Sequence, residues 1–319
     1  MANTANPFVI ALEEHYWDAE VAQGYDSPEG RVPAIRQRLD DLGALRLKEM
    51  DEAGIDLQVL SHGAPATQRM DAATAVPVAR RANDRLREAV KAHPGRFAAF
   101  ACLPTADPKA AADELERAVT RLGFVGAMVH GMTNGAWFDD KRFWPVLERA
   151  QALDVPLYLH PAVPHPAVVE VYYKDYLKEF PALLTAAWGF TVETATQGIR
   201  MVLSGAFEAY PRLRIILGHL GESLPFSLWR IDMALQRGRS PTPFRDTFRE
   251  HFWITTSGNF STPALMCCVM EMGVDRILFS VDYPFVMNPP GTEWLRDLPL
   301  SREDVAKISS GNAKRLLRI

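Results

Sequence analysis

Side chains that could bind a metal follow the carboxyl ends of short apolar runs in this sequence. Glu13 and His15 close the run FVIALEEH, His160 closes LYLH, and Asp282 closes ILFSVD. Because side chains alternate between the two faces of a strand, Glu13 and His15 would point to one face and Glu14 to the other. Two imidazoles and two carboxylates form a mixed nitrogen and oxygen set that suits zinc or manganese, with positions left for water or substrate.

The segment GHLGESLP places a histidine and a carboxylate three residues apart, His219 and Glu222. This spacing allows the carboxylate to reach the imidazole and fix its tautomer, which would make the pair an acid/base or polarising unit. The same spacing also fits a carboxylate at a helix N-terminus beside a hydrogen-bonded histidine. Arg230, further along the same predicted helix, could anchor a substrate carboxylate or pair with an acidic side chain on the surface.

Two more side chains are candidates for substrate contact. His130 closes another apolar run, GAMVH, and would face the same side as the metal-binding candidates, either against substrate or as a support for the ligands. Trp188 suits a flat apolar pocket, and it equally suits core or interface packing.

These residues need elements that bring them together, and strand and helix patterns alternate along the chain. Apolar runs predict strands at residues 8–13, 57–61, 97–103, 126–130, 156–160, 214–219, 253–257 and 277–282. Helical periodicity predicts helices at residues 42–53, 73–92, 108–122, 143–153, 193–209, 223–236, 263–272 and 302–317.

Eight strands separated by helices favour an α/β fold with parallel strands, a closed (β/α)8 barrel, over an open sheet. An open nucleotide-binding sheet usually carries a glycine-rich loop after its first strand, and the sequence has neither GxGxxG nor GxxxxGK[ST]. We therefore predict a single barrel domain over residues 1–319. Barrel active sites lie at the carboxyl ends of the strands, so the irregular stretches 16–33 and 162–187, after the first and fifth strands, are predicted to wall or cover the site.

Composition excludes several other classes of protein. The chain has 48% apolar and 23% charged residues, and 35 Lys plus Arg against 39 Asp plus Glu give a net charge of −4. Such a balance provides no basic surface for nucleic acid or an anionic membrane, and no apolar run reaches the roughly 18 residues of a membrane span. Three cysteines without a CxxC pair, and an N-terminus without an export signal, predict a reducing compartment, the cytoplasm by default.

The motifs ALEEH, LYLHP, IILGHLGE, WITTSGNFST and RILFSVDYPF occur together in this chain. In this combination the sequence resembles the metal-dependent decarboxylases of the amidohydrolase superfamily, in particular the gamma-resorcylate (2,6-dihydroxybenzoate) and 2,3-dihydroxybenzoate decarboxylases. The likeness extends from Ile10 to Leu317 and includes the connecting motifs RRAND and LPFSLWRID.

The resemblance implies a (β/α)8 barrel with one divalent metal, zinc, manganese or magnesium, held by Glu13, His15, His160 and Asp282. The implied reaction is the non-oxidative decarboxylation of a hydroxybenzoate-type aromatic acid, which releases CO₂ and a phenol without an organic cofactor. The family also tends towards homodimers or homotetramers, so a homo-oligomer is expected.

The resemblance also assigns roles around the metal. It implies that His219, supported by Glu222, works beside the metal and that Asp282 handles the proton. It further implies that Arg230 and Phe285 help to shape the site.

The sequence departs from the gamma-resorcylate enzymes on the substrate side. Where their motifs LSLNAPA and VNGF have asparagine, this chain has Gly63 and His130, and Val286 follows DYPF in place of an acid. The ring substituents of the substrate therefore stay open.

Two other classes of function remain as alternatives. One is a hydrolase of a lactone, ester or amide on the same scaffold, with the metal activating water and Asp282 as base. The resemblance disfavours it, because the first strand carries ExH rather than the HxH of hydrolytic relatives. The other is a noncatalytic metal-binding protein, disfavoured because a structural site would need neither open coordination nor Glu222 behind His219.

Overall fold

The computed structural model describes residues 7–23, 31–238 and 240–319. Within these residues the strands are β1 Ile10–Tyr16, β2 Leu57–His62, β3 Phe97–Ala99, β4 Ala101–Cys102, β5 Ala127–His130, β6 Leu157–His160, β7 Ile215–Leu217, β8 Phe252–Thr255 and β9 Ile277–Leu278. The longer helices are Pro33–Asp40, Ala44–Ala53, Ala72–Ala92, Pro108–Leu122, Trp144–Leu153, Gly189–Leu203, Leu224–Arg237, Phe244–His251, Thr262–Met272 and Asn288–Arg296, and the chain closes with Arg302–Ala306 and Asn312–Leu317.

The strands pair in parallel, in the orders β1-β2-β3 and β4-β5-β6-β7-β8-β9. Strands β3 and β4 are two halves of one barrel strand, because the N–H of Phe100 between them still donates to the carbonyl of Leu60 (2.9 Å). The ring closes between β1 and the segment after β9, where His15 N–H donates to the Tyr283 carbonyl (2.7 Å) and Glu13 N–H to Ser280 Oγ (2.6 Å). The fold is the predicted (β/α)8 barrel.

The core has two layers, as expected when every strand is covered by helices. Ile10, Leu12, Val59, Tyr158 and Ile216 belong to a buried cluster that fills the barrel interior. A larger cluster lies between the strands and the surrounding helices, and includes alternate positions of the same strands.

Strand β1 contains a bulge that alters the simple alternation of faces. Its register to β2 shifts between Ala11 and Glu14, so three residue steps on β1 match two on β2. Because of this extra residue, both Leu12 and Glu13 turn towards the barrel interior. Bulges of this kind often re-aim a side chain next to an active site.

The two stretches predicted as irregular contain more structure than expected. The first holds a short helix, Ala19–Ala22, and the start of the helix Pro33–Asp40, while residues 24–30 lie outside the described part of the chain. The second holds helical turns at Pro166–Val168, Val169–Tyr173 and Pro181–Leu184. Helices Phe244–His251 and Asn288–Arg296 were not predicted.

Several predicted elements end elsewhere. The predicted helix 193–209 begins earlier, at Gly189, and breaks after Leu203, and the predicted helix 302–317 contains a π-helical stretch at Lys307–Gly311.

No helix in the described part of the chain combines the length and apolar character needed to cross a membrane. The three cysteines are free thiols.

Candidate metal and catalytic site

Four side chains meet at the carboxyl end of the barrel. Glu13, His15, His160 and Asp282 each offer a ligand atom, and these atoms all lie within 4.8 Å of one another. The closest approaches are 3.0 Å between Glu13 Oε1 and His160 Nε2 and 3.3 Å between His15 Nε2 and Asp282 Oδ1. The residues that the sequence pattern grouped from three separate strands therefore do converge.

The two histidines are oriented by their other ring nitrogens. Nδ1 of His160 lies 2.7 Å from the carbonyl of Pro161, and Nδ1 of His15 lies 3.2 Å from Ser61 Oγ. Hydrogen bonding at Nδ1 leaves Nε2 of both rings facing the carboxylates, which is the arrangement usual for metal-bound histidine.

The donor set fits a divalent cation. Glu13 Oε1 and His15 Nε2 are buried and have no hydrogen-bond partner among the described residues. Buried polar atoms without partners are costly, so they are rare unless something else satisfies them. A cation between two imidazoles and two carboxylates would satisfy both atoms and offset the buried negative charge.

Glu13 is held from behind by hydroxyl groups. Its Oε2 accepts hydrogen bonds from Tyr158 and Ser257, and the Tyr158 hydroxyl also lies 2.7 Å from Thr255 Oγ1. Burial disfavours the charged carboxylate, but the charges of His219, His160 and His15 outweigh burial and hold the pKa of Glu13 below its ordinary value. Glu13 is thus an anion with one oxygen fixed and the other free for a ligand.

His219 and Glu222 form the predicted pair. His219 Nδ1 lies 2.7 Å from Glu222 Oε1, and His219 Nε2 points towards Asp282, 3.8 Å from Oδ2. Burial disfavours the imidazolium, but the charges of Glu222 and Glu13 dominate and hold the pKa of His219 well above its ordinary value. His219 can therefore donate a hydrogen bond or a proton on the open side of the site.

The backbone around this pair differs from the helix start that the spacing also allowed. Residues His219 to Ser223 all have positive φ values, so they form a left-handed turn before the helix Leu224–Arg237 begins. Asp282 also has a positive φ, +70°, in the turn after β9. Its side chain is 17% exposed, whereas Glu13 and His15 are fully buried, so Asp282 lies on the solvent side of the group.

The structure brings two of the predicted substrate contacts next to the metal group. The ring of Phe285 lies 5.7 Å from that of His15, and the ring of His130 lies 4.8 Å from that of His160. His130 is buried, and neither of its ring nitrogens has a hydrogen-bond partner among the described residues. Burial, followed by the charges of His160 and His15, places the pKa of His130 well below its ordinary value.

The other two predicted contacts lie on the surface. Trp188 is 51% exposed at the start of the helix Gly189–Leu203, and Arg230 is exposed on the helix Leu224–Arg237. Neither is joined to the metal group by a hydrogen bond, ion pair or ring contact within the described residues. Both stay predictions.

Sequence reasoning missed three residues that support the site. Tyr158 precedes His160 by two positions, and strand alternation alone places it on the same face, so that signal was available. Ser257 closes a predicted strand but is not titratable. Glu14 was assigned to the opposite face, with no signal for what it meets there.

Comparison with known proteins gives close matches over almost the whole length. The profile of the amidohydrolase family matches residues 13–319. The sequence is 42% identical to gamma-resorcylate decarboxylase of Polaromonas sp., covering 97% of this chain and 98% of that protein.

Solved structures give the same result. A 2,6-dihydroxybenzoate decarboxylase in complex with 2,6-dihydroxybenzoate has a TM-score of 0.91 at 41% identity, covering 98% of this chain and 100% of that one. A dihydroxybenzoic acid decarboxylase from Polaromonas sp., solved with manganese and the inhibitor 2-nitroresorcinol, has a TM-score of 0.91 at 42% identity, covering 98% and 97% of the two chains.

Proposed function

Because the chain belongs to the amidohydrolase family, we propose that it is a carboxy-lyase that decarboxylates a hydroxybenzoate without oxidation, using a divalent metal and no organic cofactor. The observation that carries the proposal is the convergence of Glu13, His15, His160 and Asp282 beside His219. The relatives named above, which match over nearly the whole chain, are decarboxylases of dihydroxybenzoates. Manganese, bound in one of those structures, is the metal to load first.

In this proposal Glu13, His15, His160 and Asp282 hold the metal. When bound, the metal would act as a Lewis acid towards the oxygens of the substrate. Phe285, beside His15, limits the space above the ligand group and orients the aromatic ring.

Asp282 takes part in this step in its protonated form, delivers the proton to the ring carbon that carries the carboxylate, and becomes the carboxylate anion. A C–H bond forms there while aromaticity is lost, the C–C bond to the carboxylate then breaks, CO₂ leaves, and the electron pair returns to the ring. His219 Nε2, 3.8 Å from Asp282 Oδ2, hydrogen-bonds the carboxylate or phenol oxygen during this step, and Glu222 keeps the imidazole oriented.

His130 is the residue that we propose for contact with a ring substituent. It is buried beside His160, and its unpartnered nitrogens could accept or donate a hydrogen bond to a substituent. We keep Trp188 and Arg230 as proposed contacts at the rim, where a flat ring and a guanidinium would meet an aromatic carboxylate as it enters.

We also propose that the protein forms a homodimer or homotetramer in the cytoplasm. Phe226, Trp229 and Met270 are exposed on two helices that pack against each other, and large exposed apolar groups of this kind often lie in interfaces. The free cysteines fit a reducing compartment.

A single domain over residues 1–319 stays our prediction, supported by the pairing of β1 with the segment after β9.

The test uses manganese-loaded protein and a panel of ortho- and para-hydroxybenzoates, with CO₂ and phenol release followed together. Asp282→Asn and His219→Asn are assayed beside it, with Asp297→Asn, an exposed aspartate away from the site, as the matched control. We expect metal-dependent release that Asp297→Asn retains and that the two site variants lower by about 10²–10⁴-fold.

Two results would overturn the proposal. One is turnover of lactones, esters or amides with no CO₂ from any hydroxybenzoate, which would favour hydrolysis. The other is CO₂ release that persists at the original rate after the metal has been removed with a chelator.

A further inference from the structure

Glu14 lies between two of the proposed metal ligands in the chain, yet it points to the other side of β1. Its buried carboxylate accepts hydrogen bonds from Val281 N–H (2.9 Å), Tyr283 N–H (3.3 Å) and Ser280 Oγ (3.2 Å). These three donors surround Asp282 in the chain, two before it and one after it. Glu14 therefore binds the turn that carries Asp282.

A buried arginine lies on the other side of Glu14. Arg46 donates to the carbonyl of His15 (2.5 Å) and to Gln58 Oε1 (3.2 Å), and its guanidinium stacks on the ring of Tyr283, 4.7 Å from the ring centre. The Gln58 amide in turn donates to Glu14 Oε2 (3.4 Å). Glu14, Gln58 and Arg46 thus form a continuous polar chain from the His15 carbonyl to the amides beside Asp282.

The turn at Asp282 needs such support because the strand ladder ends before it. Strand β9 pairs with β8 only at Ile277 and Leu278, and Asp282 has a left-handed backbone with φ of +70°. A non-glycine residue in that conformation persists only where its surroundings fix it. Three sets of hydrogen bonds hold this turn against β1: those to Glu14, the bond from His15 N–H to the Tyr283 carbonyl, and the bond from Glu13 N–H to Ser280 Oγ.

We propose that Glu14, linked through Gln58 to Arg46, is a positioning residue that sets Asp282 against Glu13 and His15 at the spacing the metal requires. The proposal rests on the metal site of the proposed function. Burying Glu14 and Arg46, which are linked through Gln58 rather than paired directly, costs much of their hydration, so this arrangement is a weak means of stabilising the fold. Outer residues that orient ligands typically change metal affinity or activity by about 10–100-fold when they are altered.

The test is Glu14→Gln, which keeps the size of the side chain and turns one acceptor oxygen into a donor. That NH₂ group would face the Val281 N–H in one orientation of the new amide and the Tyr283 N–H in the other, so donor meets donor and the turn must shift. Mn²⁺ binding, followed by the loss of the free-ion signal in electron paramagnetic resonance, should weaken by about 10–100-fold. We expect kcat to fall by a similar factor, while KM changes little because Glu14 does not contact substrate.

Glu49→Gln is the matched control. Glu49 accepts a hydrogen bond from the Tyr283 hydroxyl (2.7 Å) and pairs with Arg38, but it binds none of the amides beside Asp282. It should keep the Mn²⁺ affinity of the wild type. If Glu14→Gln does not fold, Gln58→Met is the second variant. It removes the hydrogen bonds of Gln58 to Arg46 and to Glu14 but leaves those of Glu14 to the turn, so it should weaken Mn²⁺ binding by about fivefold.

The proposal is overturned if Glu14→Gln lowers the melting temperature while Mn²⁺ affinity and kcat stay within about twofold of the wild type. It is equally overturned if Glu49→Gln weakens Mn²⁺ binding as much. The binding measurement does not depend on the reaction. A wild type that binds Mn²⁺ but decarboxylates nothing would therefore refute the proposed function and still leave the role of Glu14 measurable.

Discussion

Replacing Tyr158 by phenylalanine would remove a single oxygen from the centre of the site. The Tyr158 hydroxyl donates to Glu13 Oε2 and lies 2.7 Å from Thr255 Oγ1, while its ring packs inside the barrel, 5.9 Å from Phe100. Burial and the charge of Glu13 raise the pKa of Tyr158 well above its ordinary value, so the phenol stays a donor at any working pH. Phenylalanine keeps the ring contacts and deletes only the donor.

The size of the effect follows from the contacts of Glu13. Oε2 has two hydroxyl donors, Tyr158 and Ser257, and a hydrogen bond to a charged group contributes about 1.5–3 kcal/mol. We expect Tyr158→Phe to lower the free energy of unfolding by about 2 kcal/mol. With an unfolding entropy of roughly 2.1 cal/mol/K per residue, a chain of 319 residues should lose about 3 °C in melting temperature.

The same substitution should weaken metal binding, because Glu13 would lose one of the two contacts that aim Oε1 at His160. We expect about a tenfold higher Kd for Mn²⁺, in the range seen when residues behind a metal ligand are altered. The measurements are urea unfolding of the metal-free protein and calorimetric titration with Mn²⁺. Tyr210→Phe, a tyrosine that pairs with Trp144 away from the site, is the control. Equal stability and equal Mn²⁺ affinity in the two variants would refute the view that Tyr158 holds Glu13.

Three further predictions concern charge in and around the site. Glu222→Gln should bring the pKa of His219 down towards its ordinary value, because the Glu222 charge is the largest contribution that raises it; an NMR titration of the metal-free protein that finds the pKa unchanged would contradict this. Burial raises the pKa of Glu193 to about 7 in the folded protein, whereas the pKa in the unfolded chain is near 4.5. The protonated side chain therefore contributes to folding stability below pH 4.5, and this contribution is lost as the pH rises through 7. Glu193→Gln should therefore be more stable than the wild type by about 1–3 kcal/mol at pH 8.5 and show no such gain at pH 4.5. Urea unfolding that finds the same gain at both pH values would contradict the raised pKa of Glu193. Saturating Mn²⁺ at about 100 times its Kd should raise the free energy of unfolding by about 2.7 kcal/mol, or about 4 °C, and Glu13→Gln at the same Mn²⁺ concentration should lose most of that gain.

Much of the fold could be predicted because strand and helix periodicity alternate so regularly. The eight predicted strands all correspond to observed ones, and the predicted helix 108–122 matches Pro108–Leu122 at both ends, where Asp107 caps the first turn and Gly123 has a left-handed backbone. Strand ends were less predictable. The run 277–282 pairs with its neighbouring strand only at Ile277–Leu278, because the chain then turns away from the sheet at Asp282. The helix Pro33–Asp40 was not predicted, although a proline stands in its first turn.

The candidate metal ligands could be predicted because each follows its own strand, and parallel strands in a barrel end at one face. What supports them could not be predicted in the same way. Glu14 meets amides 267 and 269 residues away, and that contact exists only once the barrel has closed. The bulge in β1 is equally invisible in the sequence, although it turns Leu12 and Glu13 to the same side.

The closed barrel also explains how the chain tolerates a site that is locally unfavourable. His219 and Asp282, whose side chains approach to 3.8 Å, are both non-glycine residues with left-handed backbones, a conformation that costs roughly 1–2 kcal/mol for each. Burial of the Glu13 and Glu14 side chains adds the cost of lost hydration, which raises the pKa of Glu14 to about 8. None of these features stabilises the fold, so the two apolar layers of the barrel must offset them. Three of these four features, Asp282, Glu13 and Glu14, lie where β1 meets the turn after β9, which is where a divalent cation and the hydrogen bonds of Glu14 would act together. Substitutions there should therefore affect metal affinity before they affect folding, whereas substitutions of the interior aliphatic residues should do the reverse.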